Sequence, residues 1–317
     1  AAHGYDFDDV RHNMMLSRRW FVAHLGLAAA PALAIEPFTR TGPSRLRLGL
    51  AAYSFRQFFQ WNRGQEQPAA ADPARRLTPQ RFIDLAADYG CDAAELTSYF
   101  FQPTADDAAF RAVRRHAFLR GIAISGSAVG NSFTAPLGPA LHAQIATVKA
   151  WIDKTAALAA PHLRVFAGAV PPGGTLEEAR RSCITALEAC AEHAGRVGVM
   201  LGLENHGGIV ENADGLLAIV QAVKSPWLGV NLDTGNFHVA DPYAELARCV
   251  PYAVNVQYKV EISRTPSGPN EPADAARVVN MLRDGGYQGY MTLEYEGQED
   301  PFVAVPRHLR ELRDLIG

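Results

Sequence analysis

The stretch Leu201-Gly202-Leu203-Glu204-Asn205-His206 is a short apolar run that ends on a carboxylate. Two later stretches repeat the form: Val230-Asn231-Leu232-Asp233-Thr234-Gly235-Asn236 and Met291-Thr292-Leu293-Glu294-Tyr295-Glu296. Each run has the length of a strand, and longer segments of helical periodicity flank each one.

The same alternation extends to both ends of the chain. Strands are predicted over Leu46 to Ser54, Ala93 to Leu96, Ile122 to Ser127, Leu163 to Ala167, Val199 to Glu204, Leu228 to Asp233, Ala253 to Lys259 and Tyr290 to Glu294. Helices fall between them. Thr78-Pro79 opens one that stops at Gly90, Thr175 and Glu178 form a capping box ahead of another, and Pro301 to Ile316 closes the chain. Strands that alternate with helices form parallel units, and eight such units in about 270 residues point to a closed (β/α)8 TIM barrel rather than an open sheet. No Gly-x-Gly-x-x-Gly follows a strand, so a dinucleotide fold lacks its fingerprint.

Composition agrees. The chain has 317 residues, 48% of them hydrophobic, enough for one large core. A formal charge of −3 gives no electrostatic case for nucleic acid or an anionic membrane as partner. The four cysteines (Cys91, Cys183, Cys190 and Cys249) show neither zinc-knuckle nor disulfide spacing and read as small buried apolar residues.

The C-terminal strand ends of a barrel share one mouth, where active sites of this fold lie. Glu204, Asp233 and Glu294 end strands five, six and eight, Glu95 ends strand two, and strand seven carries Gln257 and Lys259. Three acids aimed into one mouth repel one another unless a cation neutralises them. Each alone reads as a cap or an ion-pair partner; together they read as a cation site. The oxygen donors Glu204, Asp233, Gln257 and Glu294 suit Mn2+ or Mg2+ better than Zn2+ or Co2+.

In these motifs the sequence resembles the xylose isomerase-like TIM-barrel superfamily, often labelled the sugar phosphate isomerase/epimerase family. The resemblance runs from about Leu46 to Ile316 and is strongest in Leu203 to Gly208, Leu232 to Phe237 and Gly289 to Glu296. It implies one divalent metal held by Glu204, Asp233, the strand-seven position and Glu294, with the two glutamates doubling as acid and base. Two departures stand out. Gln257-Tyr258-Lys259-Val260 replaces the usual His-x-Lys-Asp, and Asn236 stands where many members have histidine. His206 and His238 are candidate substitutes, with His206 the better substrate contact or proton shuttle because imidazoles titrate near neutrality. Lys259, Glu95, Asn236 and Tyr53 complete the candidate substrate contacts. Phe100, Phe101 and Asn131 could form walls, and Gln57 to Ala71, with Trp61, reads as a long loop over the mouth.

The expected function is metal-dependent isomerisation or epimerisation of a sugar: a proton leaves the carbon beside a carbonyl and the metal stabilises the enediolate. A lyase eliminating from a keto-sugar on the same site and a non-catalytic carbohydrate-binding protein are the alternatives. A multi-zinc endonuclease on this barrel lacks its histidines and its basic face.

The N-terminus reads separately. Ser17-Arg18-Arg19-Trp20-Phe21-Val22, an apolar stretch to Ala30 and Ala32-Leu33-Ala34 form a twin-arginine-type signal over residues 14–34, too short to span a membrane comfortably. Residues 1–13, upstream of Met14 and Met15, read as a remnant or misplaced start, and residues 35–44 as a linker to a barrel over 45–317. Export to the periplasm follows, with no lasting membrane anchor. It favours free, keto- or glycosidic sugars over phosphorylated ones. Barrels of this kind often pair, so a homodimer is the assembly to test for.

Overall fold

A computed structural model describes residues 35–68 and 72–317. The upstream segment and the signal, residues 1–34, lie outside the described residues, as do the last three residues of the loop ending at Ala71. Among the described residues no helix is long and apolar enough to cross a membrane.

Eight parallel strands close into a barrel: β1 (Arg45–Ala51), β2 (Ala93–Thr97), β3 (Ala123–Ala128), β4 (His162–Val165), β5 (Met200–Glu204), β6 (Leu228–Asp233), β7 (Ala253–Tyr258) and β8 (Gln288–Leu293). Closure comes from the pairing of Arg45 through Leu50 with Gln288 through Leu293. The helices are α1 (Pro79–Asp88), α2 (Asp107–Leu119), α3 (Pro139–Ala157), α4 (Leu176–Val197), α5 (Ala213–Ala222), α6 (Pro242–Cys249), α7 (Ala275–Asp284) and α8 (Pro301–Ile316). The predicted start signals operate. Thr78 accepts from the Arg81 amide, and Thr175 and Glu178 form the reciprocal capping box, each satisfying amides that a helix start leaves orphaned.

All four cysteines are free and buried, as their apolar surroundings suggested. The first strand ends at Ala51 rather than Ser54, because the chain tightens into a 3-10 turn over Ala52–Phe55. There Ser54 Oγ accepts from the Tyr295 amide at 2.9 Å, joining the top of β1 to the end of β8. The loop after Gln57 holds a small hairpin, Trp61–Asn62 against Gln65–Glu66, turned at Arg63 and Gly64 with φ of 50° and 80°. The Arg63 amide donates to the Tyr99 carbonyl at 2.9 Å and so seats the hairpin beside the mouth.

Residues 35–44 run across the opposite end of the barrel. The Phe38 amide donates to the Pro251 carbonyl, Arg40 donates to the Ala253 carbonyl, and Ser44 Oγ donates to the Tyr287 carbonyl.

Because side chains alternate along a strand, every second residue faces the barrel axis. The interior is unusually polar. Asn255 and Gln257 donate to Glu95 at 2.8 and 2.6 Å, Asn231 donates to the Gln257 side-chain oxygen Oε1 at 2.7 Å, and Asn255 donates to Asn231 Oδ1 at 2.9 Å. A buried polar group must be partnered, and this belt partners four of them. Glycines make room for the larger groups, most tightly at Gly126, where an added Cβ would lie 1.8 Å from the His162 ring.

Candidate active site

Above the polar belt, the mouth opens into a cavity of about 660 Å3 lined by Tyr53, Arg63, Tyr99, Asn131, Arg164, Phe166, Glu204, His206, Asn236, Lys259, Glu294 and Glu296. Two-residue steps at the strand ends deliver these side chains: Arg164 in β4 and Phe166 just after it, Glu204 at the end of β5 and His206 after it, and Glu294 and Glu296 just beyond β8.

Two buried cations organise the acids. Arg164 Nε lies 2.9 Å from Glu204 Oε2, and its guanidinium stacks 3.9 Å from the Phe166 ring centroid. Asn236 donates to the other Glu204 oxygen at 3.0 Å. Lys259 Nζ lies 2.6 Å from Glu294 Oε2 and 3.4 Å from Asp233 Oδ2, and also pairs with Glu296. Asp233 is itself clamped. Its amide donates to Asn205, its carbonyl accepts from Asn205, and its Oδ1 accepts from the Gly235 amide. Asp233 Oδ2 is buried without a hydrogen-bond partner and faces the lysine.

The barrel brings Glu204, Glu294, Asn236, Lys259, His206 and Tyr53 to one cavity. Asp233 is fully buried beneath it. Glu95 and Gln257 sit lower still, inside the barrel, bonded to each other. The Gln257 amide is engaged at both ends, so its oxygen is turned to Asn231 rather than to the acids. His238 is exposed and lines a smaller neighbouring cavity instead. Phe100 and Phe101 are buried packing residues; Phe100 stacks on Phe59 with centroids 4.0 Å apart. Asn131 brackets the Phe166 backbone with two hydrogen bonds. Sequence reasoning passed over Arg164, Phe166, Tyr99, Arg63 and Glu296. For Arg164 a signal existed: an arginine inside an apolar strand, in step with His162.

The donors suit a cation. All are oxygens, one buried carboxylate oxygen lacks a hydrogen bond, and an ammonium already stands among them as a stand-in. Among the described residues no group of three or more His, Cys, Asp or Glu stands arranged to hold a metal ion, the two cations occupying the space between the acids.

Burial raises the Glu95 carboxyl to about 7, assisted by the charge of Glu294 and opposed by its amide hydrogen bonds. Burial also raises Glu204 against the pull of Arg164, and Asp233 against that of Lys259. His162 moves the other way, down to about 4, again through burial. An acid raised in the folded state binds its proton more tightly there than in the unfolded chain. Its stabilising contribution is complete below about pH 4 and is lost as the pH rises through about 7. His162 acts oppositely, its contribution being lost as pH falls from about 6.5 to about 4. Three acids outweigh one imidazole. The melting temperature of chelator-treated protein is therefore expected to fall between about pH 5.5 and 8, and Glu95→Gln to flatten the fall. A wild-type melting temperature that climbs over this interval would contradict the assignment.

The family model of the xylose isomerase-like TIM barrel matches residues 83–312. The chain belongs to this family. No curated protein matches it. Among solved structures, the barrel is similar to a xylose isomerase domain protein from Planctomyces limnophilus (16% identity, TM-score 0.63, covering 86% of this chain and 98% of that one). It is also similar to an L-ribulose 3-epimerase (17%, 0.65, 86% and 94%) and to the 3-keto-D-glucoside 4-epimerase of E. coli (15%, 0.60, 86% and 99%). At these identities the likeness concerns the fold. Of the two positions that depart from the motifs expected by resemblance, Asn236 is hydrogen-bonded to Glu204 in the cavity, whereas Gln257 is bonded to Asn231 and Glu95 beneath it.

Proposed function

We propose that this protein is a sugar isomerase or epimerase that transfers protons at a carbon beside a carbonyl. One observation carries the reading: Glu204 and Glu294, delivered by the non-adjacent strands β5 and β8, line one cavity, each held by its own buried cation. The cavity volume lies within the roughly 300–1,000 Å3 of small-molecule sites, and its aromatic walls with polar edges suit a sugar. The epimerase names of two structural neighbours support the same class.

One glutamate removes the proton and the other returns it. Tyr53, Tyr99 and Phe166 wall the sugar, and Asn236 and Arg164 orient Glu204. His206 lies on the rim beside Phe166 with ring centroids 4.5 Å apart, and would contact a hydroxyl. Asp233, Glu294 and Glu204 would hold a divalent ion, Mn2+ or Mg2+; Gln257, whose amide is bonded to Asn231 and Glu95, would not join them. When bound, such an ion supplies positive charge to the carbonyl oxygen on which negative charge develops. The proposed place of action is the periplasm, on the strength of the twin-arginine-type segment at residues 14–34. Free keto-sugars and keto-glycosides are the favoured substrates.

The test is solvent exchange. Ketoses and keto-glycosides incubated with protein and Mn2+ in D2O, followed by proton NMR, are expected to gain deuterium beside the carbonyl. A product that has lost a leaving group would select the lyase reading. Sugar binding without exchange would reassign the chain as a carbohydrate-binding protein.

A further inference from the structure

We infer that Lys259 competes with a divalent ion for one place in the carboxylate cluster, so that metal enters only as the ammonium leaves. The inference rests on the metal site proposed above. Lys259 Nζ lies 2.6 Å from Glu294 and 3.4 Å from Asp233, and the Asp233 oxygen it faces has no hydrogen-bond donor. A divalent ion bound to those same oxygens at about 2.0–2.6 Å would stand within a few ångströms of Nζ. Two positive centres that close, in a site where the lysine side chain is 10% exposed and Asp233 fully buried, repel strongly.

The chain gives the displaced amine somewhere to go. Lys259 also pairs with Glu296, whose side chain is 40% exposed and therefore nearer solvent than Asp233 or Glu294. Its backbone is pinned, because the Lys259 amide donates to Thr234 Oγ1 at 2.9 Å. Movement is thus confined to the four-carbon stem, which lies against Gly235, where an added Cβ would meet the stem at 2.7 Å. The ammonium can retain Glu296 while giving up Asp233 and Glu294, leaving both carboxylates free for the ion.

The experiment titrates chelator-stripped full-length protein with Mn2+ and reads free ion by electron paramagnetic resonance, for wild type, Lys259→Met and Lys259→Arg. In parallel, acylation of Lys259 in the wild type is mapped by peptide mass with and without Mn2+. Lys259→Met is expected to bind Mn2+ at least about tenfold more tightly than wild type, and Lys259→Arg to show no such gain. Mn2+ is expected to increase acylation at Lys259. Equal affinities in wild type and Lys259→Met, or a Lys259 that stays protected while Mn2+ is bound, would overturn the competition and leave the metal site standing. Failure of every variant to take up Mn2+ would overturn both. The acylation readout needs no substitution, so it decides even where Lys259→Met does not fold.

Discussion

Glu294→Gln is expected to lower net interconversion of the sugar substrate by about a thousandfold, the scale set by loss of a positioned acid or base. The substitution is isosteric and leaves Lys259 with two carboxylates, Asp233 and Glu296, so no buried cation is orphaned. The melting temperature should accordingly stay near that of the wild type. Glu204→Gln is expected to cost as much activity but also stability, because it strips Arg164 of the carboxylate beside it. Exchange in D2O separates the two roles. If each glutamate serves one face of the substrate, Glu294→Gln loses exchange from one epimer and Glu204→Gln from the other, while both lose interconversion. Interconversion in Glu294→Gln within tenfold of wild type would remove this residue from the chemistry.

The largest effect on stability is expected inside the barrel, beneath the cavity. Gly126→Ala would set a Cβ 1.8 Å from His162 Cε1 and 2.2 Å from its Nδ1. The ring has little room to yield, since His162 is buried and its Nδ1 lies 3.0 Å from the Ser125 carbonyl oxygen. Relief requires movement of a strand in a closed barrel, and overpacking of this kind costs roughly 3 kcal/mol or more. Urea denaturation measures it. The same substitution made in His162→Ala should cost much less, because the obstructing ring is gone, and this coupling is the diagnostic. A cost below about 1 kcal/mol for Gly126→Ala alone would mean that the barrel interior adjusts more freely than its packing implies.

Much of this architecture could be read from local pattern. Capping residues, helix stops and apolar runs are short-range signals, and they gave eight units and a closed barrel. The acids at the ends of β5, β6 and β8 were legible for the same reason, since strand ends fix where they point. Local pattern did not show what faces those acids across the barrel. Gln257 bonds to Glu95, 162 residues away, and that partnership is what turns its amide from the cluster. Arg164 and Glu296 could have been found by applying the two-residue step along His162-Leu163-Arg164-Val165-Phe166 and Glu294-Tyr295-Glu296, which places each on the inward face. His238 shows the converse. It lies near the Asp233 motif in sequence, yet the chain carries it to an exposed position outside the main cavity.

The pairing of Arg164 with Glu204 and of Lys259 with Glu294 also bears on the order of assembly. Proteins whose acidic clusters depend on an external ion cannot finish their interior until that ion arrives. This barrel carries two counter-charges in its own sequence, so its acidic interior can close without an ion, and folding need not wait for the metal proposed above.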